Sequence, residues 1–158
     1  MGIEIERKFL VDKNLFKPSV KGELLHQVYL KRNDGRSVRV RIIGTNAFIT
    51  IKSTITAMVK NEFEYAIPLK DAQEMIEIFK DLPAIKKIRY QQIIAGDEWV
   101  IDEFLDENEG LLMAEIELPS TSTSFSKPAW LLKEVTDDFR FHNSSLAAFP
   151  FKAWIEKP

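Results

Sequence analysis

The sequence holds no cysteine, an absence that removes disulfides, thiolate metal ligands and thiol nucleophiles together. Histidine is scarce too. His26 and His142 are the two present, neither has a second histidine or a cysteine at ligand spacing, and both are expected in surface or packing roles rather than in a zinc site. No stretch approaches the roughly 18 consecutive apolar residues of a membrane-spanning helix. "MGIEIERKF" lacks a basic leader followed by an apolar run, and it lacks the Ser or Thr of the myristoylation pattern. A cytoplasmic protein with no membrane partner is expected. A charge excess is also missing: 22 basic against 24 acidic residues give a net charge of -2 and a pI near 5.8. That balance argues against a surface built for nucleic acid. Any anion site must be local. The 158 residues, 45% hydrophobic and 29% charged, suit one domain over 1–158 with its own core.

What the chain does have is alternation. In "GIEIERKFLV", Glu4, Glu6 and Lys8 fall on one face of a strand, while Ile3, Ile5, Arg7 and Phe9 fall on the other. A helix would scatter both sets. Alternating segments recur at "LLHQVYLKR", "SVRVRIIG", "AFITIKS", "VKNEFEYAIP", "KKIRYQQII", "EWVIDEF" and "LLMAEIEL", giving eight candidate strands with the first. Asn33-Asp34-Gly35, Gly44-Thr45-Asn46, Gly96-Asp97 and Asn108-Glu109-Gly110 punctuate them with tight-turn chemistry, so a meandering antiparallel sheet or barrel is expected. One helix interrupts it. "LKDAQEMIEIFKDL" offers Asp71 as N-cap, Glu74 three residues on, an apolar stripe at Ala72, Met75, Ile76 and Phe79, and Pro83 as a stop. After a polar Ser/Thr loop, "AWLLKEV" and "SSLAAFPF" read as short helices. Trp99, Trp130 and Trp154 stand in apolar contexts and are expected in the core.

The polar faces carry like charges in pairs. Three strands hold Glu-x-Glu, at Glu4 and Glu6, Glu62 and Glu64, and Glu115 and Glu117; two hold basic pairs, Arg39 with Arg41 and Lys87 with Arg89. Lys52 and Asp102 occupy equivalent positions on their own strands. Solvated faces tend to mix signs, because like charges side by side are mildly destabilising. A polyphosphate together with a divalent cation would satisfy both sets. Lys8, Arg39, Arg41, Lys52, Lys87 and Arg89 suit phosphate oxygens. Hard cations such as Mg2+ or Mn2+ take carboxylate and phosphate oxygens together. A plain polyphosphate binder would gain nothing from three Glu-x-Glu pairs.

The motif "EIERKF", Glu4-x-Glu6-x-Lys8, resembles the ExExK signature of the CYTH superfamily, the triphosphate tunnel metalloenzymes. "VRVR", "ITIKS", "NEFEYAIP", "KIRY", "IDEF", "AEIEL" and "KEVTDDFRFHN" follow in the family's order, so the resemblance spans nearly the whole chain. It implies a mainly β, α+β fold: an eight-stranded antiparallel barrel with a charged interior and helices packed outside. The apolar residues Ile3, Ile5, Val38, Val40, Ile49, Ile51, Phe63, Tyr65, Ile88 and Ile116 would then face outward, covered by helices or by a second copy in a homodimer. It also implies a metal-dependent hydrolase of a small-molecule triphosphate. Family members hydrolyse inorganic triphosphate or thiamine triphosphate, or cyclise ATP as class IV-type adenylate cyclases; the compact chain most resembles the short inorganic triphosphatases. Glu4, Glu6, Lys8, Glu62 and Glu64 are the expected catalytic set, and Glu4, Glu6, Asp102, Glu115 and Glu117 the expected metal ligands. Glu62 and Glu64 are the ones expected to orient water or steady the basic pairs.

Overall fold

The computed structural model describes residues 2–158. Every alternating segment forms a strand: β1 Gly2–Val11, β2 Glu23–Asn33, β3 Arg36–Ile43, β4 Asn46–Thr54, β5 Val59–Ala66, β6 Ala84–Ile94, β7 Asp97–Phe104 and β8 Leu112–Glu117. All pairings are antiparallel, in the order β5-β4-β3-β2-β6-β7-β8-β1, and β1 closes the barrel by pairing with β5. The path is not one continuous meander. Two meanders, β2 to β5 and β6 to β8, join through β2–β6, and β1 bridges their free edges. Asp34-Gly35 and Ala95-Gly96 make two-residue hairpin loops with both residues at positive φ, 46° and 73° in the first, 52° and 87° in the second. That backbone twist matches the strands it joins.

A ninth strand, β9 Leu131–Glu134, forms where a short helix was expected. The reason is an open edge. β1 pairs with β5 only over its first residues, and β9 takes up the rest, at Phe9↔Glu134 and Val11↔Leu131, with the Val135 N–H donating to the Lys8 carbonyl at 2.8 Å. Unpaired backbone groups there would be costly. Helix α1, Leu69–Ile78, begins two residues before the expected cap; Pro68 precedes it, and Asp71 lies in its first turn, where a negative charge suits the helix dipole.

The charged interior puts the apolar residues outside or at one end. Phe9, Trp99, Ile101 and Ile116 pack on the outer face of β1, β7 and β8 beneath Trp130 and Phe125. Helix α1 covers Val40, Ala47 and their neighbours on β3 and β4. The third cluster is different in kind. Inward-facing Tyr29, Ile85, Phe104 and Met113 meet Phe141, Leu146, Phe151 and Trp154 of the C-terminal segment, so helix α2, Asn143–Ala148, helps close one end of the barrel. Covering of the outer face is incomplete. Val40 and Ile116 are buried, but Ile3, Ile51, Phe63 and Tyr65 remain exposed, at 58%, 44%, 37% and 53%, because α1 packs on β3 and one part of β4 and leaves the outer face of β5 and the start of β1 uncovered. No helix among the described residues is long and apolar enough to cross a membrane.

Trp99 is fully buried, edge-to-face with Phe9, Phe125 and Trp130. Trp99→Ala is expected to lower unfolding free energy by about 3–5 kcal/mol in urea titrations. An unchanged midpoint would contradict this account of the outer core.

Candidate functional site

The alternation of each strand carries its charged face into the barrel, where a cavity of about 740 Å³ opens away from the apolar plug. Glu4, Glu6 and Lys8 of β1, Arg39 and Arg41 of β3, Lys52 of β4, Glu62 and Glu64 of β5, Lys87 and Arg89 of β6, and Glu115 and Glu117 of β8 all line it. Of the residues singled out from the sequence, Asp102 alone is absent from that lining. It is buried in the wall, accepting from Lys87 Nζ at 2.6 Å and from Arg89 Nε and Nη2 at 2.8 and 2.7 Å. Cross-strand register explains the contact, since Arg89 and Asp102 lie directly opposite.

Strand pairing sets the remaining contacts. β1 against β8 aligns Glu6 with Glu117 and Lys8 with Glu115, so the first and last Glu-x-Glu pairs meet. Lys8 Nζ bonds Glu115 and also lies 2.8 Å from Glu6. Lys52 bridges Glu4 at 2.6 Å and Glu62 at 2.8 Å, and Arg41 grips both oxygens of Glu64, which also accepts from Thr50. Lys60 Nζ contacts Glu6 at 2.7 Å. The C-terminal segment adds Asn143, whose Oδ1 accepts from Lys87, and Thr136, whose hydroxyl accepts from the Lys8 N–H.

Two features show unmet demand. Arg39 makes no ion pair among the described residues, and its Nε, like that of Arg41, is buried without an acceptor. Orphaned charged donors in a cavity call for an anion. The carboxylates show the opposite demand. Burial and neighbouring Glu6 raise the Glu4 pKa, and burial with Glu62 and Glu6 raises that of Glu117. Burial works the same way on Glu6, Glu62 and Glu115, but nearby lysines outweigh it: Lys8, Lys52 and Lys60 hold Glu6 well below the usual range, and all three are lowered. Burial drives Lys87 down to about 7 despite Asp102. Burial and neighbouring carboxylates thus disfavour the charged forms of Glu4 and Glu117, and a hard divalent cation fits that donor set. Among the described residues no three carboxylate or imidazole groups are already gathered for a metal, because lysines stand between the carboxylates.

Lys60, Gln91, Glu98 and Asn143 line cavities of the barrel without having been picked out from the sequence. Lys60 was legible in principle: it has the strand parity of Glu62 and Glu64 but escapes a search for like-charge pairs. Asn143 carries no such signal. His26 lies outside the barrel beside Lys86, whereas His142 is buried and lines a second cavity at the plugged end.

The sequence pattern of the CYTH domain matches residues 2–146. An inorganic triphosphatase of Acetivibrio thermocellus is 44% identical over 156 residues, covering 99% of this chain and all of that protein. An inorganic triphosphatase of Nitrosomonas europaea is 33% identical over 152 residues, 91% of this chain and 96% of that one. The crystal structure of an inorganic triphosphatase superposes with a TM-score of 0.67 at 30% identity, covering 91% of this chain and 93% of that one. A putative adenylate cyclase of Bacillus halodurans, 18% identical with a TM-score of 0.56 over 76% of this chain and 83% of that one, shares the fold alone.

The electrostatics separate the acids by what their charge does to stability. Glu4 has a raised folded pKa, so its charged form opposes folding and stability falls as pH rises through that pKa. Metal-free Glu4→Gln is therefore expected to be at least as stable as the parent at pH 8. Asp102, held low by Arg89 and Lys87 against its burial, contributes stability above its unfolded pKa; Asp102→Asn should cost about 3–5 kcal/mol in urea unfolding. Equal destabilisation by both substitutions would refute the assignment.

Proposed function

The chain belongs to the CYTH domain family, and we propose that it is a divalent-metal-dependent hydrolase that converts inorganic tripolyphosphate to pyrophosphate and orthophosphate. The observation that carries this reading is the pair of buried, unanswered guanidinium donors at Arg39 and Arg41, set among Lys52, Lys87 and Arg89 in a cavity that also holds Glu4 and Glu117. Likeness over whole chain lengths to two proteins named inorganic triphosphatase supports the choice of substrate.

Glu4, Glu6, Glu115 and Glu117 would hold Mg2+ or Mn2+, which when bound supplies positive charge to carboxylate and phosphate oxygens together. Arg39, Arg41, Lys8, Lys52, Lys87 and Arg89 bind and straighten the phosphate chain. Asp102 fixes Lys87 and Arg89 in direction, Glu62 does the same for Lys52, and Glu64 for Arg41. A water held by the carboxylate wall attacks the terminal phosphorus; its oxygen forms the new P–O bond as the bridging bond breaks, the electron pair leaves on pyrophosphate, and the water's proton passes by way of a wall carboxylate to solvent. Phosphoryl transfer asks mainly for alignment and charge neutralisation, so no side-chain nucleophile is needed.

Purified protein offered tripolyphosphate, ATP or thiamine triphosphate with Mg2+ or Mn2+ should turn over tripolyphosphate best, releasing pyrophosphate and orthophosphate in equal amounts. EDTA should abolish turnover. Arg39→Ala and Arg41→Ala each remove a charge-assisted contact of about 1.5–3 kcal/mol, so kcat/KM should fall about ten- to a hundredfold at unchanged urea midpoint. Glu117→Gln should raise the metal concentration needed for half-maximal rate. Cyclic nucleotide as main product, activity in EDTA, or a trapped phosphoenzyme would reject the proposal.

A further inference from the structure

The barrel interior is polarised along its axis. The larger cavity is lined by seven glutamates against six lysines and arginines. At the plugged end a second cavity of about 370 Å³ opens between the β2–β3 hairpin and the segment from Phe139 to Ser145. It shares Glu6, Lys8, Arg39 and Lys52 with the first and adds Lys60, Arg36 and Arg32, while Glu6 and Asp34 are the only carboxylates in its lining.

Lys60 is the unexpected member. It is 6% exposed and its ammonium has one partner among the described residues, Glu6 Oε1, which also receives Lys8. Lys8 has Glu115 besides, but Lys60 has this shared oxygen alone, and Arg32, Arg36 and Arg39 of the same lining make no ion pair among the described residues. Buried positive charge left over in this way is unfavourable unless an anion completes it. His142, 9% exposed, lines this cavity too, with a buried Nε2 that has no partner among the described residues. The hydroxyl-bearing Ser144 and Ser145 complete the wall.

We propose that this second cavity is the subsite of the leaving pyrophosphate and that Lys60 is its specificity-determining residue. The assignment rests on the triphosphatase reading above. Hydrolysis in the carboxylate-rich half leaves new negative charge on the departing oxygen. An excess of cationic donors on the opposite side stabilises that charge as it forms. Orthophosphate, cut off in the carboxylate-rich half, does not occupy the subsite. The polarity therefore fixes the substrate's direction in the tunnel and favours a leaving group that is all phosphate over one that brings a neutral or cationic organic group against Lys60 and Arg36.

The test is binding of pyrophosphate and of orthophosphate to the full chain, each by isothermal titration in EDTA, so that neither turnover nor metal affinity enters. Lys60→Met should weaken pyrophosphate about tenfold or more and change orthophosphate binding less than twofold, and Lys60→Arg should restore most of the loss. Arg36→Ala, at the exposed rim, should weaken pyrophosphate by a smaller factor, and serves if Lys60→Met fails to fold. With tripolyphosphate and metal, kcat/KM of Lys60→Met should fall. Equal weakening of both anions, or unchanged pyrophosphate binding in Lys60→Met and in Arg36→Ala, would overturn the subsite. A parent protein that shows Lys60-dependent pyrophosphate binding yet hydrolyses no triphosphate would instead overturn the triphosphatase reading alone.

Discussion

Everything in this molecule follows from placing charge inside a closed barrel. Carboxylates and ammonium groups lose hydration there, and each is tolerable only beside a partner of opposite sign. The walls obey that constraint by interleaving: Lys52 between Glu4 and Glu62, Lys8 between Glu6 and Glu115, and Asp102 beneath Lys87 and Arg89. The interleaving is incomplete in two places, at the free donors of Arg39 and Arg41 and at Glu4 and Glu117, whose charged forms burial and neighbouring carboxylates disfavour. Those shortfalls have opposite signs, and together they describe an anion and a cation bound side by side.

A charged interior also reverses where the apolar core sits. With the barrel axis occupied by ions, hydrophobic residues must find cover on the outer face, and additional elements supply it. Trp130 and Phe125 cover β1, β7 and β8, helix α1 covers one end of β3 and β4, and the C-terminal segment seals one mouth with Phe141, Leu146 and Trp154. The seal has a functional side as well. It brings Asn143 onto Lys87 and His142 into the second cavity, so the segment that completes the core also contributes to the cavity walls.

Most of the strand content and most of the cavity lining were legible because both depend on a local rule: in a strand every second side chain shares a face. Once β1 is a strand, Glu4, Glu6 and Lys8 must lie together, and the same holds for Arg39 with Arg41 and Lys87 with Arg89. Two-residue loops such as Asp34-Gly35 are equally local, since their backbone angles favour those residues. Asp71 was displaced from its expected cap only because local signals locate a helix more securely than its first residue.

Elsewhere the outcome depended on partners distant in the chain. "LLKE" has little pattern of its own and became β9 because the edge of β1 beyond β5 lacked hydrogen-bond partners. Asp102 shares its face with the cavity residues, yet register set it opposite Arg89 and within reach of Lys87, which made it a support for the basic pair. The sequence by itself determined which residues share a face, because that follows from backbone geometry within one strand. Only the tertiary structure decided which face meets which, which charges are answered and which are left for a ligand, because those depend on strand register and on the C-terminal segment folding back across the barrel.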